Sequence, residues 1–210
     1  MSEVIDSTAI SQENSEPSRG ETSGIVSDMP LEFAPPEHSI WESYEYKPDH
    51  LARRYLDSLL STPLDYDEKI ALERYSENEG SSDINRSLTE GHPNHNVKLI
   101  DSAMAKVRLP QTTIVFRGDS HEKANPDDVK AGTTFERIGY TSTTLDRSLA
   151  RGWHNSLTVL KIEVPAGTPV AVPQIKEAEI LLPHGSSFEI IGATEKNDYT
   201  EVYVRLVPPA

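Results

Sequence analysis

Three polar marks in the second half of this 210-residue chain have types and spacings that can do chemistry. Glu177 and Glu179 stand two positions apart in "IKEAEILLPHGSSFEI", residues 175–190, where an apolar strand is about to begin. In an extended strand residues i and i+2 share a face and sit roughly 6.5–7 Å apart, so two such charges repel unless something uses them. Arg117 ends the apolar run "TIVFRG", where a guanidinium can hold a phosphate through a bidentate fork. Gly118 beside it lets another group approach the backbone. The run "YTSTT", residues 140–144, gathers hydroxyls able to orient a carboxylate or a sugar oxygen. Taken singly, each mark has an ordinary explanation. A strand-end arginine is usually solvated, Ser and Thr are common in strands, and paired glutamates guard sheet edges against aggregation.

The elements that must position these residues follow from periodicity. "PDHLARRYLDSLLS", residues 48–61, places Leu51, Tyr55, Leu59 and Leu60 at helical spacing, with Pro63 beyond its end. Residues 65–76 give a second helix with Ile70 and Leu72 apolar. Residues 81–91 give a third, capped by Ser81 or Ser82 and stopped by Gly91, and 96–110 a fourth ending before Pro110. After Pro110 the period shortens. "TTIVFRG", "IGYTSTT", "LTVLKIEVP", "TPVAVP", "AEILLP", "SSFEIIGATEK" and "YTEVYVRLVP" are short, β-branched or aromatic, and bounded by turn residues. A helical interruption, "LDRSLARGWHN", separates the second and third. Helices first and mostly antiparallel strands after them imply an α+β fold, its strands split into two packed sheets.

Composition bounds the rest. Residues 1–50 hold 11 of the 34 acidic residues against Arg19 and Lys47 alone, so the net charge of −14 lies mainly in the N-terminal part. The segment 1–36 is acidic and rich in Ser and Pro. It is too poor in apolar residues to offset its ordering entropy and is expected to be a disordered tail, with one catalytic-sized domain over 37–210. The stretch 37–47, with Trp41, Tyr44 and Tyr46, is where the tail is expected to meet the fold. Clustered Lys and Arg are what nucleic acid and anionic membranes require, and this balance argues against both. No apolar run approaches the roughly 18 residues of a membrane helix, and no signal-peptide pattern opens the chain, so a soluble protein without a cleavable signal is expected. Zero cysteines exclude disulfides and thiolate chemistry. Dinucleotide fingerprints, P-loops, G-x-S-x-G elbows and His-Glu-x-x-His pairs are absent. His92 and His95 in "GHPNH" are interrupted by proline, and no metal is assigned.

Taken in order, "VFRG", "GYTSTT" and "KEAEILLPHGSSFEI" resemble the Arg, Ser-Thr-Ser and Glu-x-Glu motifs of the mono-ADP-ribosyltransferases related to clostridial actin-modifying toxins and to bacteriophage and type III effector enzymes. The spacings are 25 residues from Arg117 to Ser142 and 37 from Ser142 to Glu179, and the third motif residue is Thr144 in place of Ser. The resemblance implies NAD as the substrate. Cleaving its glycosidic bond builds positive charge on the ribose, which a carboxylate beneath the ring stabilises. By the resemblance Glu179 has that role. Ser142 orients it, Arg117 holds the phosphates, and the backbone at Gly118 grips the nicotinamide amide. Thr143 of the motif is placed in the NAD site with Ser142, while Tyr75, Asn85 and Arg86 match helix positions lining the pocket.

Glu177 then concerns the acceptor. A guanidinium with pKa above about 12 is a poor nucleophile until a base orients it or takes a proton. Family members with Glu at this position typically modify arginine, and those with Gln tend towards asparagine or cysteine, so a host-protein arginine is the expected acceptor. Two other functions use the same scaffold: an NAD glycohydrolase with water as acceptor, and a noncatalytic interaction module. Trp153 reads equally as a lid over nicotinamide or as a core anchor, and so does Phe135. "AVPQIK" is expected to face the target. A monomer is expected, acting in the cytoplasm of the producing or target cell after delivery by a secretion system or bacteriophage.

Overall fold

The computed structural model describes residues 30–32 and 50–208. The stretch 37–47 lies outside the described residues. Of the 1–36 segment only residues 30–32 are described, and they lie against the folded domain: Leu31 N–H donates to the Thr112 carbonyl and Ile114 N–H to that of Leu31, both at 2.7 Å.

Four helices come first. α1 (His50–Leu60) buries Ala52, Leu56 and Leu59, while Leu51 is 65% exposed and Leu60 points outward too, so its inner face is rotated from the expected one. α2 (Tyr66–Tyr75) starts at a capping box. Asp65 is the N-cap and donates its N–H to Glu68 Oε2 at 2.8 Å. Its buried residues are Glu68, Ala71, Leu72 and Tyr75, with Ile70 exposed. α3 (Asn78–Thr89) starts before the expected Ser81 or Ser82. Gly80 explains this: a Cβ there would stand 1.9 Å from the Arg74 carbonyl oxygen, so glycine alone lets α3 begin directly against the end of α2. α4 (His95–Lys106) is capped by Asn94, whose side chain accepts from Val97 N–H. No described helix is long and apolar enough to cross a membrane.

The strands are β1 (Thr113–Ser120), β2 (Thr134–Arg137), β3 (Thr141–Thr144), β4 (Thr158–Val164), β5 (Glu179–Leu182), β6 (Ser186–Glu195) and β7 (Thr200–Val207), with α5 (Arg147–Gly152) between β3 and β4. They form one seven-stranded sheet in the order β2-β6-β7-β4-β1-β3-β5, antiparallel except for β4–β7. The two-sheet expectation is thereby corrected. What joins the halves is a single register pair between β1 and β3, Phe116↔Thr144. "TPVAVP" forms no strand, because Pro169 and Pro173 cannot donate to a ladder, and it keeps only isolated bridges from Pro169 and Ala171. β2 was not anticipated; it is four residues at the sheet edge with alternating burial.

Apolar layers fill both sides. Leu56 and Leu59 of α1 pack with Val115, Leu160, Ile162, Ile180 and Phe188 in the largest cluster. Helices α2–α4 pack on Tyr140 and Leu181, and α5 covers Ile114, Phe116 and Val159 through Ala150.

Candidate active site

The β3–β5 register decides which hydroxyls can meet which carboxylates. Ser142 lies opposite Leu181 and Thr144 opposite Glu179, so these four share one face, while Thr143 and Ile180 share the other. Ser142 and Glu179 are diagonal neighbours on that face, and Ser142 Oγ donates to Glu179 Oε1. Glu179 is 3% exposed. Burial pushes its pKa up to about 7; the Ser142 hydroxyl opposes the shift, Glu177 adds to it, and Arg117 opposes it.

Arg117, on neighbouring β1, donates from Nη1 to the Ser142 carbonyl at 2.8 Å, so β1's cation is tied to the β3 hydroxyl strand. Its Nε is fully buried and has no protein partner. A buried donor in that state suits an anionic oxygen, and a dinucleotide's diphosphate supplies one. Burial, then the nearby Arg137 guanidinium, lowers the Arg117 pKa. Tyr75, buried at the end of α2, senses both Glu179 and Arg117, and burial raises its hydroxyl to about 12. Arg117, Ser142, Glu179 and Tyr75 are thus brought together.

Other expected site residues are placed differently. Thr143 is fully buried on the opposite face and donates to the Ile180 carbonyl at 2.5 Å, so it does not join the group. Arg86 is exposed and pairs with Asp83 at 3.2 Å. Asn85 is a brace: Nδ2 donates to the Tyr75 hydroxyl at 3.2 Å, and Oδ1 accepts from Tyr140 N–H at 2.9 Å. Gly118 is needed for packing, since a Cβ there would stand 2.3 Å from the Ala150 carbonyl oxygen. The β1–β3 ladder stops at Phe116↔Thr144 and does not reach Gly118. Trp153 is half-buried in a 3₁₀ turn, and Phe135 stacks on core residue Phe188 with centroids 5.4 Å apart.

Glu177 requires a correction. It does not share an extended strand's face with Glu179 as the spacing predicts, because Ala178 takes φ +47°, which puts Glu177 in a turn, and β5 begins only at Glu179. The turn is pinned from β3. Thr144 Oγ1 donates to the Glu177 carbonyl at 2.7 Å and accepts from Asp146 N–H, while Leu145 N–H donates to the Ala178 carbonyl at 3.0 Å. Glu177 is half-buried, which raises its pKa. Thr144 was missed as a positioning residue, although strand alternation from Ser142 puts it on the glutamate face. Tyr140 was missed as well. It packs edge-on against Tyr75 at 5.8 Å and donates to Asp101 Oδ1 at 2.6 Å.

A buried carboxylate, an orienting hydroxyl and a guanidinium with a spare buried donor can stabilise a sugar cation attached to a diphosphate. Known structures share the scaffold. The Clostridium limosum C3 exoenzyme superposes with a TM-score of 0.65 at 24% identity, covering 78% of this chain and 96% of its own. C3stau2 from S. aureus, solved with NAD, gives 0.67 at 18% identity over 80% and 100%. The ADP-ribosyltransferase Vis, solved with agmatine, gives 0.60 at 18% identity over 75% and 83%. At these identities the likeness is one of fold. A comparison with curated proteins gives no match. The class that the family model and the fold define together is the mono-ADP-ribosyltransferases. The family model described as ADP-ribosyltransferase exoenzyme matches residues 51–207, and the chain belongs to that family. It is an NAD-dependent ADP-ribosyltransferase, with NAD as its substrate.

Proposed function

We propose that this enzyme transfers ADP-ribose from NAD to arginine side chains of other proteins, with Glu179 stabilising the ribose cation and Glu177 serving the acceptor. The observation that carries the acceptor reading is the second carboxylate, half-buried on a pinned turn immediately ahead of the buried one. Agmatine, held by the structurally similar Vis, ends in the same guanidinium as arginine and supports the same acceptor class. In the reaction the bond between ribose C1′ and nicotinamide breaks, its electron pair leaving with nicotinamide. A guanidinium nitrogen then bonds to C1′, and its proton passes to Glu177. Ser142 orients Glu179, Arg117 binds the diphosphate, the Gly118 edge meets the nicotinamide amide, and Tyr75 walls the pocket.

Mapping modified residues by mass spectrometry, after incubating the protein with NAD and a cell lysate, tests the acceptor. ADP-ribose is expected on arginine. Adducts on asparagine or cysteine, or label that survives replacement of the target arginine by lysine, overturn the assignment.

Two further outcomes follow from the geometry. Because ionised Glu179 is required and its pKa is about 7, kcat/KM for NAD falls about tenfold per pH unit on the acid side. Ser142→Ala removes a bond that lowers this pKa, so a pH–rate profile should show the acid limb displaced to higher pH. Thr144→Val unpins the Glu177 turn. Transfer to agmatine should drop about tenfold, with nicotinamide release changed less than about threefold, since one lost positioning bond misplaces Glu177 but leaves Glu179 on its strand. Thr144→Ser should restore transfer.

A further inference from the structure

Arg117 and the Ser142–Glu179 pair sit on opposite sides of the narrowest joint in the sheet. β4 runs along one edge of β1 from Thr113 to Ser120, so the other edge is left to β3, which reaches it only at Phe116↔Thr144. Beyond that point β3 turns away into α5. Leu31 occupies the vacated lane, as a parallel bridge to Thr113 made by the two 2.7 Å backbone bonds to Thr112 and Ile114. Its side chain packs on the main core cluster. Without Leu31 the Thr112 carbonyl and the Ile114 N–H would lose these partners.

The next residue extends the brace towards the joint. Glu32 Oε1 accepts from Arg147 Nη2 at 2.8 Å and Oε2 from Lys161 Nζ at 2.7 Å, tying the first turn of α5 to β4. The Arg147 guanidinium lies 4.9 Å above the Phe116 ring, which belongs to the joint itself, and also contacts Glu201 Oε2 on β7 at 2.9 Å. Both Glu32 contacts are about one third exposed or less on each side, so they are shielded more than ordinary surface pairs. A carboxylate from the chain's N-terminal segment therefore clamps the element that covers Phe116, one residue from Arg117.

We propose that residues 31 and 32 form a strap across the β1–β3 joint, and that Glu32 is a positioning residue for NAD cleavage, acting through Arg147 and Phe116 on the alignment of Arg117 with Ser142 and Glu179. The segment that looks dispensable by composition thus contains part of the catalytic support. The inference rests on NAD cleavage at this site and not on the arginine acceptor, so nicotinamide release is the readout.

The test uses the full chain. Glu32→Gln is isosteric, and Glu32→Lys reverses the charge. At a temperature well below unfolding, kcat/KM for nicotinamide release should fall about threefold in the first and about tenfold in the second, chiefly through a raised KM. Glu32→Asp keeps a carboxylate facing Arg147 and Lys161 and should recover most of the loss, a rescue by charge that general destabilisation does not produce. Amide exchange at Ile114 should speed up in Glu32→Lys and stay near the wild-type rate in Glu32→Asp. Unchanged kinetics in both Glu32→Gln and Glu32→Lys, or a loss in Glu32→Asp as large as in Glu32→Lys, overturns the strap. Absence of nicotinamide release from the wild-type protein would instead overturn the function assigned to the site, and the two failures are distinguishable.

Discussion

Glu179→Gln should lower nicotinamide release from NAD by about a thousandfold, within the range that loss of one preorganised electrostatic stabiliser produces. The carboxylate is held 3% exposed by β5, and glutamine of the same shape can still accept from Ser142 Oγ, so the site keeps its geometry and loses its charge. Stability separates this from unfolding. Burial raises the folded pKa from 4.5 to about 7, so between those values the folded protein binds more protons than the unfolded chain. Stability associated with this group is full below about 4.5 and is lost as pH rises through about 7. Glutamine carries no such cost. At pH 8 the variant should melt higher than wild type, by about 2–4 °C for each kcal/mol regained in a domain of this size, and at pH 4 the difference should nearly vanish. Calorimetry at the two pH values checks this, and a variant that melts lower at pH 8 contradicts the burial argument.

Glu177→Gln should separate the two halves of the reaction. Glu177 has no part in holding Glu179, whose hydroxyl partner is Ser142, and its own place is set through its backbone carbonyl by Thr144. Replacing the side chain therefore leaves the turn intact. Loss of a general base typically costs about 10²–10⁴, so transfer to agmatine should fall at least about a hundredfold while hydrolysis of NAD by water persists within about threefold. Counting released nicotinamide and agmatine adduct in one reaction gives both numbers. Equal loss of the two would mean that Glu177 acts on NAD cleavage and not on the acceptor.

Local period made the helices and most of the strands legible, while the meeting of Ser142 with Glu179 came from the resemblance. A two-residue alternation along β3 puts Ser142 on the face where the β3–β5 register makes that contact. The same alternation turns Thr143 away and Thr144 inward, a signal that was available and unused. The expectation that Glu177 shares a strand face with Glu179 failed because Ala178 adopts a left-handed conformation that alanine rarely takes, and no residue type announced the turn. In α1, Leu51 and Leu60 satisfy helical spacing as well as Leu56 and Leu59 do; only the tertiary surface decides which pair faces in. Pro169 and Pro173 did signal that "TPVAVP" would fail as a strand. The union of all strands in one sheet could not be read, since it depends on one register pair between Phe116 and Thr144, 28 positions apart. The bonds of Leu31 and Glu32 are less legible still. One uses backbone groups that every residue has, and the ion pairs span 115 and 129 positions.

The electrostatic design explains why burial is used so heavily here. Nicotinamide leaves NAD as charge grows on the ribose, and a carboxylate in water would interact weakly with that charge. Behind Tyr75 and beside the Ser142 hydroxyl, the Glu179 charge is poorly solvated, and in the proposed mechanism it is well matched to the cation formed on the ribose. Asn85 holds Tyr75 to the backbone at Tyr140, two residues before Ser142, so the aromatic wall and the hydroxyl move as one unit.

The most direct measurement is the rate of nicotinamide release from NAD by wild-type protein and by Glu179→Gln, with folding of each verified by circular dichroism. The prediction is steady release by the first and a loss of about three orders of magnitude in the second. Comparable rates from both, or no release by a folded wild-type protein, would contradict the account.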